Sequence, residues 1–141
     1  MENLLLPIHI GTLFITAVFI LIADHDAFLY MRGKKELLSR KKVKIIHYTV
    51  WTGLIIMITT GLTMAYSALG DLIKSTGFLT KMFFVILLFI NAIAIHFLSD
   101  LAIEKPFVSL SKKEKTLLLI SGAASTIGWL GAAITAYIIF G

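Results

Sequence analysis

The chain has 141 residues, 58% of them hydrophobic and only 15% charged, with a mean hydropathy of +0.93, a balance that excludes a water-soluble domain of this length. Its formal charge is +5 and it has no cysteine, which excludes disulfides, thiolate metal sites and covalent c-type haem attachment.

Uncharged stretches cover 3–23, 45–70, 82–99 and 116–141. Each reaches or approaches the ~20 residues that an α-helix needs to cross hydrocarbon. They are continuously apolar rather than alternating, which argues against strands of a closed barrel. The expected fold is all-α and integral to the membrane: four transmembrane helices in an up-down-up-down bundle, forming one domain over 1–141.

The first span begins near Leu4 with Pro7 in its first turn, where a missing amide hydrogen costs little. Its leading residues, "MEN", hold an acid and no base, and no small-residue cleavage site precedes Asp24, so it reads as a span rather than a signal peptide. It continues through "LIADHDAFLY" to about Tyr30 and ends at Gly33. The second span runs from about Ser39 to Leu69. Gly53 and Gly61 inside it serve either close helix packing or space for a flat cofactor. "GDLIKSTG" forms the next turn. The third span covers about Phe78 to Ile103, and Pro106 stops it. In the fourth, Ser111 is the expected N-cap, with Glu114 three residues on completing a capping box. Ala124, Gly128, Ala132 and Ala136 then recur every four residues, a stripe suited to bundle packing or to a homo-oligomer contact.

Charge is distributed unevenly. Arg32, Lys34, Lys35, Arg40, Lys41, Lys42 and Lys44 surround the first connection, and Lys105, Lys112, Lys113 and Lys115 surround the third, leaving only Lys74 and Lys81 for the opposite side. By the positive-inside rule, loops 31–44 and 101–115 are cytoplasmic, both termini are outside, and the chain is a multi-pass protein of the cell (inner) membrane. These bases sit at helix ends without aromatic interleaving, so the expected partner is anionic lipid and not nucleic acid.

Three histidines from three spans fall at the cytoplasmic level: His25, His47 and His96. Asp24, Asp26 and Asp100 lie at the same level, and His96 and Asp100 are four apart on one helical face. His9 stands sixteen residues from His25, about 24 Å along the helix, and belongs to the other side. Ionisable groups within a span are costly and mark pathways or bound ions, although a histidine at a helix end is also tolerated without any ligand.

Two chemistries suit this set. A b-type haem needs two imidazoles at matched depth, which His47 and His96 supply with His25 as a third candidate, and nearby bases such as Arg40, Lys41, Lys42 and Lys44 to receive its propionates. Alternatively His25, His47 and His96, with Asp24, Asp26 or Asp100, form a nitrogen and oxygen set for zinc or iron. Acids that do not bind the metal directly would orient the imidazole hydrogens. A third reading makes the same groups a proton or cation path in a small transporter, and a fourth makes the chain a structural subunit.

Three segments carry a resemblance. "IHIGTLFITAVFIL", "SRKKVKIIHYTVWTGLIIMITTGLTM" and "KMFFVILLFINAIAIH" resemble spans of small four-helix haem membrane proteins, namely the HemJ-type protoporphyrinogen oxidases and the copper-resistance-D-like family. The first span lacks the arginine of the HemJ-type pattern, and Lys81 to His96 is a wider interval than that pattern has. What the resemblance implies is therefore bound haem rather than porphyrinogen oxidation. A membrane oxidoreductase or electron-transfer protein would need a quinone or another electron partner.

Overall fold

The computed structural model describes residues 2–140. Among them the chain forms α1 (Glu2–Met31), α2 (Arg40–Ala65), a short α3 (Leu69–Leu72), α4 (Thr76–Glu104) and α5 (Lys112–Phe140), with no strand. Four helical segments, Leu4–Met31, Arg40–Leu72, Thr76–Glu104 and Lys112–Ile138, are long and apolar enough to span a membrane.

Local chemistry sets the ends. α1 closes in a Schellman motif: Gly33 takes φ +73°, Lys34 N donates to Leu29 O at 2.9 Å, and Gly33 N donates to Tyr30 O at 3.1 Å. Ser39 caps α2 by accepting from Lys42 N, and Ser75 caps α4 by accepting from Phe78 N, each at 3.4 Å. The expected capping box is present on α5, where Ser111 and Glu114 each accept the other's backbone N–H at 3.2 Å. The second span departs from one continuous helix. At Tyr66 the backbone N–H donates to Thr63 O, three residues back, and the chain narrows to a 3-10 turn over Tyr66–Ala68 before α3.

The long helices run antiparallel to their neighbours and pack mainly as two hairpins, α1 with α2 and α4 with α5. Glycines allow the close approach. A methyl group at Gly53 of α2 would overlap the Thr16 hydroxyl of α1, and one at Gly131 of α5 would overlap the Phe84 ring of α4. Gly128 is buried against Leu88, and Ala124, Ala132 and Ala136 are half-buried, so the small-residue stripe serves packing within the bundle.

Packing between the hairpins is thinner. Their basic ends, where both lysine-rich connections lie, are tied by Tyr30 Oη donating to Lys105 O at 2.7 Å and Leu38 N donating to Ala102 O at 2.9 Å. Around these bonds a cluster of Tyr30, Ala102 and Leu110 is buried. Midway, Leu54, Met57 and Ala92 form a second cluster against Trp51 and Trp129. Outward faces are apolar: Phe14 and Phe97 expose 69% and 68% of their surface.

Candidate functional site

Two cavities lie along the seam between the hairpins. The basic-end cavity, about 160 Å³, is bounded by all four long helices. Its polar lining includes Asp24, Asp26, Lys42, His47, Asn91 and Ser121. The far-end cavity, about 130 Å³, takes His9 and Lys81 among apolar residues. Leu54, Leu88 and Trp129 border both and separate them.

His47 and His96 are brought together. His47 lines the basic-end cavity from α2 and is half-buried; His96 stands on an exposed face of α4. Their ring centroids are 5.9 Å apart with planes inclined at 41°. Two metal–nitrogen bonds of about 2 Å, with the half-width of each ring added, give a centroid separation of roughly 6 Å for a metal held by two imidazoles. The centroid separation of the pair matches that spacing. One helical turn further from the basic end, Trp51 and Phe89 meet edge to face across the same α2–α4 seam at 5.3 Å. Asp100 stands one helical turn beyond His96 on α4. Among the described residues no hydrogen bond joins it to His96, the partner its spacing suggested; Ser99 Oγ donates to the His96 carbonyl instead.

Of the remaining expected residues, Asp24 and Asp26 line the same cavity as His47, whereas His25 is not part of that lining. His25 is exposed, Asp24 lines the cavity half-buried, and Asp26 is buried. Asp26 is already engaged: Oδ1 accepts from Lys35 Nζ and Oδ2 pairs with Lys42 Nζ, both at 2.7 Å. No group of three or more histidine, aspartate or glutamate side chains is gathered for one ion among the described residues. His47 and His96 are the two expected histidines that stand side by side.

Sequence spacing did not reveal several polar contacts. Asn91 Oδ1 accepts from Ser121 Oγ at 2.9 Å across the α4–α5 contact, with both residues buried. Thr60 meets His9 Nδ1 at 2.8 Å across the α1–α2 contact. Buried serine, threonine and asparagine in apolar runs are the only signal that pointed to them, because such groups require partners away from water.

The chain matches no protein-family model, no curated protein and no solved structure.

Proposed function

We propose that this chain is an integral membrane redox protein that holds a b-type haem at its basic end through His47 and His96. The observation that supports it is the 5.9 Å approach of two imidazoles from neighbouring helices beside the basic-end cavity. When bound, the haem would supply one-electron chemistry. The chain's own residues do the rest. His47 and His96 present their rings from α2 and α4, and Lys42, already paired with Asp26, brings its ammonium to the cavity wall. The resemblance of three segments to small haem membrane proteins points the same way.

In this reading both basic connections face the cytoplasm of a cell (inner) membrane and meet anionic lipid, and the electron partner is lipid-soluble or another membrane protein. Oxidised and dithionite-reduced absorption spectra of the detergent-purified protein test it, together with elemental analysis. A Soret band that sharpens with split visible bands on reduction is expected, and His96→Ala should abolish it. Full haem occupancy in His96→Ala would overturn the ligand assignment. A featureless spectrum with about one zinc or iron per chain would transfer the imidazole pair to a non-haem metal.

A further inference from the structure

The far-end cavity contains a histidine in contact with a threonine hydroxyl. Thr60 has one hydroxyl hydrogen, and the Ile56 carbonyl takes it at 2.7 Å, with the Met57 carbonyl at 3.3 Å sharing it. With that hydrogen so engaged the Thr60 oxygen is an acceptor, an arrangement that favours the Nδ1–H tautomer of His9 across their 2.8 Å contact. In a neutral imidazole the other nitrogen, Nε2, then carries the lone pair. Gly61 gives the ring its room, since a Cβ there would lie 3.3 Å from His9 Cε1.

We propose that the far-end cavity binds the head of a lipid-soluble hydroquinone, with His9 Nε2 accepting one phenolic hydroxyl. The walls suit a flat aromatic ring with an apolar tail: Phe78 and Trp129 are aromatic, and Met57, Ile58 and Val85 are aliphatic. Lys81 lines the same cavity. A phenolic oxygen that shares its proton with Nε2 gains negative character, which a neighbouring cation favours. The cavity lies between segments apolar enough to span a membrane, so the ligand enters from the lipid phase. As an assignment of the electron partner this rests on the redox reading above. As a binding site it is tested with no haem present.

The test is anaerobic equilibrium dialysis of the full-length chain in lipid nanodiscs. The probes are a decyl-tailed benzohydroquinone and its dimethyl ether, which keeps the ring and tail but has no hydroxyl to donate. The hydroquinone is expected to bind about tenfold tighter than the ether. His9→Phe should bring that ratio close to one, and Thr60→Val, which releases the tautomer, should lower it. His9→Gln, whose amide oxygen still accepts, should keep part of it. Equal binding of the two probes to the unaltered chain, or an unchanged ratio in a helical and monodisperse His9→Phe protein, would overturn the proposal. Loss of the Soret band with the ratio intact would overturn only the haem assignment.

Discussion

Asp24, His25 and Asp26 are consecutive, yet the helix separates their surroundings. At 3.6 residues per turn each is rotated by about 100° from the next, so Asp26 is buried, Asp24 faces the cavity half-buried, and His25 is exposed. The Asp26 carboxylate is 11% exposed and joins two lysines whose side chains are 37% and 46% exposed. Asp26→Leu leaves both ammonium groups without that partner, but they can turn to water. The expected loss is about 1–2 kcal/mol, below the cost of stranding a fully buried charge. Thermal unfolding in detergent measures it, and Asp26→Lys combined with Lys42→Asp should recover part of the loss. The sequence placed His47 and His96 at one level, and they meet. It gave no warning that Asp26 would pair with Lys35 and Lys42, because depth along a helix is read from residue count whereas rotation about its axis depends on which neighbour it packs against. The partner of His9 was equally hard to name, since Thr60 lies 51 residues away.

The helices themselves were more legible. Pro106, Gly33, Ser39 and the Ser111–Glu114 box act within a turn or two of their own position, so their effect is local and survives folding. The 3-10 segment after Ala65 has no comparable signal. Which helix faces each small residue also required the structure. Gly53 touches Thr16, so Gly53→Ala should destabilise the α1–α2 hairpin by about 1–3 kcal/mol through overpacking. Thr16→Ala in the same chain removes the overlapping hydroxyl and should restore part of that stability. A double-mutant cycle with less than about 0.5 kcal/mol of coupling would show that the two residues do not clash.

At the scale of the whole molecule, composition alone led to four apolar helices, and the structure contains them. Orientation in the membrane is testable because the chain has no cysteine, which makes any introduced thiol unique. Lys113→Cys in sealed cells should resist a membrane-impermeant maleimide until the membrane is opened, and Lys74→Cys should react at once; the reverse pattern would invert the topology. Basic residues made this expectation available from sequence, whereas the division into two hairpins did not show there, since each interface uses similar small residues. That division is also uneven from end to end. The hairpins are fastened at the basic end by Tyr30 to Lys105 and Leu38 to Ala102, and a cavity of about 130 Å³ lies between them beyond Trp129. Stiffness should therefore fall along the bundle axis. Thermal breathing would pivot on the basic end and widen toward His9, so molecules dissolved in the bilayer would exchange through the far-end cavity sooner than through the chamber beside His47.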